Sequence, residues 1–90
     1  MKRVELIANR SVEEDLMEAF AAAGIAKAYT RIPVVHGSGR SDPKMGDAVW
    51  PEENFVLLVY CDEAEAKQIE ETVAQIKTKF RNEGIKVFVM

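Results

Sequence analysis

Sulfur and imidazole are scarce in this sequence: its 90 residues include one cysteine, Cys61, and one histidine, His36. A lone cysteine excludes an internal disulfide framework and any zinc site built on several thiolates, and it suits a reducing compartment. The histidine precedes the cysteine by 25 positions and nothing else completes a nucleophile triad, so catalysis would fall to carboxylates or a bound metal. The expectation is a protein that is not an enzyme. Positive charge is also in short supply, with Lys+Arg 12 against Asp+Glu 15 and a net charge of -3. Such a chain lacks the basic field that holds a phosphate polymer, which argues against nucleic-acid binding. Long apolar runs are missing too. The longest, Phe55 to Cys61, falls far below the roughly 20 residues of a membrane span. After Met1-Lys2-Arg3 come Val4-Glu5-Leu6-Ile7-Ala8 and then polar Asn9-Arg10, without the apolar core of a secretory leader. These absences imply a cytoplasmic protein that is not itself a membrane protein.

What is present is apolar material, 48% of the residues, enough for one core and too little chain for two, so residues 1–90 read as a single domain. Ser11-Val12-Glu13-Glu14 and Asp62-Glu63-Ala64-Glu65 each set a short polar residue three positions before a glutamate, the signature of a capped helix start. Val12, Leu16, Ala19, Phe20 and Ala23 line one face of the first helix, and Gly24 supplies its stop. Ala66, Ile69, Val73, Ile76 and Phe80 line the second, which Gly84 stops. Charge agrees, because Asp62, Glu63, Glu65, Glu70 and Glu71 open this helix while Lys77, Lys79 and Arg81 close it. Residues 2–9, 25–35, 55–61 and 85–90 read as strands from their β-branched and aromatic content. The order β-α-β-β-α-β predicts an α+β, ferredoxin-like fold: a four-stranded antiparallel sheet with both helices on one face.

That arrangement leaves the other sheet face bare. The third strand should then alternate, yet Val56, Leu58 and Tyr60 are as apolar as Phe55, Leu57 and Val59. No sequence remains to cover the second face, so a homo-oligomer that packs sheet on sheet is expected. Pro33 suits an edge position for the second strand.

The one irregular stretch runs from Gly37 to Asn54, far longer than a hairpin connection, and structureless connections of this size are usually functional or disordered. At its start, Gly37-Ser38-Gly39-Arg40 sets two permissive glycines beside a guanidinium, so that backbone N–H groups can turn toward an anion that the arginine then pairs. Trp50, the only tryptophan, could pin the loop onto the body or stack on a ligand ring. Asp42, Asp47, Glu52 and Glu53 could hold a hard cation but lack the spacing of a calcium loop. His36, Met45 and Cys61 form the set of soft-metal ligands, which one subunit alone cannot complete.

The start Met1-Lys2-Arg3-Val4-Glu5, the helix ending Ala21-Ala22-Ala23-Gly24-Ile25, the run Val35-His36-Gly37-Ser38-Gly39-Arg40 and the ending Lys86-Val87-Phe88-Val89 together resemble PII signal-transduction proteins, in order and over nearly the whole chain. The resemblance implies a homotrimer that binds a small anionic ligand, such as an adenine nucleotide, between subunits. It implies a mobile T-loop at residues 37–54. Gly37, Gly39 and Arg40 would then lie near a ligand phosphate, and Lys86 would approach from the partner side. Lys44, Met45 and Trp50 would be the loop residues that touch a regulated protein or membrane transporter. Two departures stand out. Typical members carry a glycine-rich B-loop before strand four, where this chain has only Asn82-Glu83-Gly84, and a basic segment after the position of Met90, so part of the phosphate clamp is expected to be missing. The loop also holds no tyrosine for the uridylylation switch of many bacterial members. The alternative is a CutA-like trimer that binds a divalent metal through His36, Met45 and Cys61.

Overall fold

A computed structural model describes residues 1–37 and 53–90. In chain order it has β1 (Lys2–Asn9), a one-turn 3-10 helix (Arg10–Val12), α1 (Glu13–Ala23), β2 (Thr30–Val35), β3 (Asn54–Cys61), α2 (Glu63–Lys79) and β4 (Ile85–Val89). The strands lie in the order β2-β3-β1-β4 with every neighbouring pair antiparallel, which is the ferredoxin-like sheet expected from the sequence. One parity of each central strand is buried beneath the helices. Val4, Leu6, Ala8, Phe55, Leu57, Val59 and Ile85 meet Leu16 and Phe20 of α1 and Ala66, Ile69, Val73 and Ile76 of α2 in a single core.

The α2 start forms as its sequence implies, with Asp62 Oδ1 accepting the Glu65 N–H at 2.8 Å. The α1 start does not. Asn9 Oδ1 takes the Ser11 N–H at 2.9 Å, which draws Ser11 into the 3-10 turn, and the residue at the start of α1 is Val12, without a side-chain cap. Three acidic residues, Glu13, Glu14 and Asp15, favour that end of the helix instead. Gly24 closes α1 at φ 69, with its N–H on the Ala21 carbonyl and the Ile25 N–H on that of Phe20, the paired bonds of a Schellman ending. The chain turns there before Ala23 can face the core, so Ala23 is exposed and Ile25 and Ala26 are buried in its stead. Gly84 stops nothing. The helix ends at Phe80, whose N–H reaches the Ile76 carbonyl at 3.1 Å while its side chain packs against the core, and Gly84 offers its carbonyl to Asn9 beside β4.

The second strand is shorter than its composition suggests, because Ala26 adopts φ 54 and breaks the extended run that would have begun at Ile25. Pro33 does sit on an edge strand. Between Ile32 and Val35 the pairing with β3 slips by one residue, a bulge at the residue that cannot donate to the ladder.

The opposite sheet face is open. Its rows are Thr30–Leu58–Glu5–Phe88, then Ile32–Val56–Ile7–Lys86, with Arg3 beside Tyr60. Val56, Leu58 and Ile7 are half-buried, while Tyr60 is 55% exposed and Ile32 and Phe88 are also exposed. Arg3 and Glu5 pair with each other within this apolar field. No described helix is long and apolar enough to cross a membrane.

Candidate functional site

At the β2–β3 end of the open face lies a shallow cavity of about 250 Å³ lined by Ala28, Tyr29, Thr30, Leu58 and Tyr60. Both tyrosines of the chain line it. Tyr60 is there by parity, since it shares a face with Val56 and Leu58, and Tyr29 is there because the turn at Ala26 delivers the connection to the sheet edge. Aromatic and apolar walls with a phenolic hydroxyl at hand suit a flat heterocyclic ring. From Leu58 to Asn54, the partner of Val35, is four residues, about 13 Å along the strand. At the far end of that distance β2 gives way to His36 and Gly37, both exposed.

Gly37 has no positive φ, and a Cβ built on it would meet no atom within 4 Å. Gly39 and Arg40, with the loop residues Lys44, Met45 and Trp50, lie outside the described residues. Glu53 at the other side of the loop is fastened to the body: the Arg10 N–H donates to its carbonyl at 3.0 Å, and the Arg10 guanidinium pairs with its carboxylate at 2.9 Å. A second pair joins Arg31 of β2 to Glu13 of α1, and that bond to the carboxylate holds the guanidinium charged.

Lys86 is exposed on β4, the far edge of the sheet, and pairs with Ile7. Three strand spacings, roughly 14 Å, separate that edge from β2, so one protomer does not bring Lys86 to the loop base. Nor does it gather the soft-metal set. His36 is exposed past one end of the sheet, and Cys61 is buried at the opposite end under the helices, with Met45 outside the described residues. Burial pushes the Cys61 thiol up, Glu65 and Asp62 push it further, and the amino terminus opposes them only in part. A thiol so held stays protonated, which suits packing and not metal ligation. Among the described residues no group of three or more His, Cys, Asp or Glu side chains could hold a metal ion.

The family model described as nitrogen regulatory protein P-II matches residues 1–90. The chain belongs to the P-II family. No curated protein matches it. Among solved structures, a PII-like signalling protein from Thermus thermophilus is 22% identical, with a TM-score of 0.68 over 99% of this chain and 83% of that one. CPII from Thiomonas intermedia, described as a nitrogen regulatory PII-like protein, is 20% identical, with a TM-score of 0.71 over 99% of this chain and 82% of that one. It was solved with ADP and bicarbonate, and also with ADP, AMP and bicarbonate. At these identities the likeness is one of fold.

Neither Tyr29 nor Tyr60, which line the cavity, was among the candidates read from the sequence. The available signal was Tyr60's place on the uncovered parity of β3. Tyr29 was hidden by its apparent position inside a continuous strand over 25–35.

Proposed function

We propose that this P-II chain is a non-enzymatic regulator that assembles as a homotrimer and binds an adenine nucleotide between subunits. The base rests in the cavity of Ala28, Tyr29, Thr30, Leu58 and Tyr60, and the phosphates run along β2 toward Gly37, Gly39 and Arg40. Lys86 comes from the adjoining subunit. Its place on the sheet edge opposite β2 suits a cyclic assembly in which the β4 side of one copy meets the β2 side of the next. The observation that carries this reading is the cavity itself, which joins both tyrosines to the strand that ends at the glycine-arginine segment. The neighbours solved with ADP support the choice of base. Ligand occupancy then biases the conformation of the 37–54 loop, through which Lys44, Met45 and Trp50 contact a regulated protein or transporter in the cytoplasm.

Calorimetric titration with ADP, ATP and AMP tests the reading. Wild type should bind at least one of them, and Arg40→Ala should weaken binding tenfold or more through loss of a charge-assisted pair, about 1.5–3 kcal/mol. His36→Ala should leave it nearly unchanged. The reverse order, with zinc or copper stabilising wild type and His36→Ala abolishing that effect, would support the metal-binding alternative. No heat with any nucleotide at millimolar concentration contradicts the proposal.

A further inference from the structure

The backbone that carries Ala28 and Tyr29 to the cavity is held by a side chain from another element. Ala26 is the one non-glycine residue with positive φ among the described residues, at 54°, and it is 3% exposed, so its N–H has no water to turn to. Glu65 Oε2 accepts that N–H at 3.0 Å across 39 positions of sequence. Glu65 occupies the third position of α2, where in a reciprocal capping box its carboxylate would fold back on the N–H of the cap residue. Its own N–H is taken by Asp62, so the α2 start is satisfied on that side, while its carboxylate reaches across to the α1–β2 connection.

We propose that Glu65 is a positioning residue for the nucleotide cavity: by accepting the Ala26 N–H it fixes the left-handed turn that sets Ala28, Tyr29 and Thr30 as the cavity wall. The inference rests on the reading of that cavity as the base site. Alanine gains nothing from positive φ on its own account, and a buried N–H without an acceptor is costly. Remove the carboxylate and residues 26–29 have reason to relax toward the extended conformation, which carries Tyr29 off the wall. Two bonds link the start of α2 to one side of the cavity, Asp62 to Glu65 and Glu65 to Ala26. β3, which ends at Cys61 beside the cap, supplies the other side through Leu58 and Tyr60.

The test combines amide exchange on the free full-length protein with calorimetric titration by ADP, using Glu65→Ala, Glu65→Gln and Glu65→Asp. Gln keeps an acceptor oxygen at the same reach, whereas Asp keeps the charge but falls one methylene short and is the milder variant if the alanine protein folds poorly. Glu65→Ala should speed exchange of the Ala26 amide at least tenfold while β1 and β3 keep their protection, and should weaken ADP at least fivefold. Glu65→Asp should move both in the same direction by less, and Glu65→Gln should restore both to within twofold of wild type. A residue that merely stabilises the fold would lower the melting temperature and leave the ADP affinity of the folded protein alone. Wild-type-like ADP affinity in Glu65→Ala, or failure of Glu65→Gln to rescue, overturns the positioning role. Absence of ADP binding by wild type overturns the cavity reading instead, and the nucleotide role of Glu65 with it.

Discussion

Cys61 shows how much one position can depend on which end of a strand it occupies. At the close of β3 it points under the helices, beside the acidic start of α2, and burial first and then Glu65 and Asp62 raise its thiol above the ordinary value of 9.0. Because the folded state keeps the proton that the unfolded chain gives up, this contribution to stability is complete below the ordinary value and is lost as pH rises through the folded one. Wild type should therefore lose stability above about pH 9 faster than Cys61→Ala, in urea melts at matched pH. Parallel curves would mean that the thiol ionises equally in both states. The core role of Cys61 was legible in the sequence, since it ends an apolar run. Its separation from His36 follows from the topology, since antiparallel second and third strands put their C-terminal ends at opposite ends of the sheet.

Two segments with the same capping pattern came out differently at the level of elements. Asp62 caps α2, so Asp62→Ala should lower the denaturation midpoint by the equivalent of about 1 kcal/mol. Ser11→Ala should change it by less than about 0.5 kcal/mol, because Asn9 does the accepting two residues earlier. Equal losses from the two substitutions would restore Ser11 as a cap. A short polar residue three positions before a glutamate stood at both helix starts, but at the first a competing acceptor upstream decided where the N–H went. The second strand failed to match for a similar local reason. Ile25 and Tyr29 have strand-like side chains, yet the turn at Ala26 is imposed from α2 by Glu65, a partner 39 positions away that no window of sequence contains. That turn also delivers Tyr29, which is why half of the cavity went unread.

For the whole molecule, the strongest legible feature was the doubled apolar pattern of β3, which the structure resolves into a buried face and an open one. Val56 and Leu58 share the open parity, so Val56→Lys or Leu58→Lys should dissociate the proposed trimer while leaving each protomer folded, as light scattering and circular dichroism would report. Leu57→Lys, on the helix side, should unfold the chain instead. A wild-type monomer at micromolar concentration would contradict the assembly. The proposed nucleotide site is only partly legible because it would be shared: the sequence offers Arg40 and Lys86 as candidates, and the β2 and β4 edges stand apart in one protomer. The direct measurement is ADP titration of trimers co-refolded from equal amounts of Arg40→Ala and Lys86→Ala subunits. If the site lies between subunits, random assembly rebuilds about one quarter of the sites with both cations intact, and these should bind at wild-type affinity although neither parent variant does. A titration that is the simple average of the two parents, with no tight sites, would contradict it.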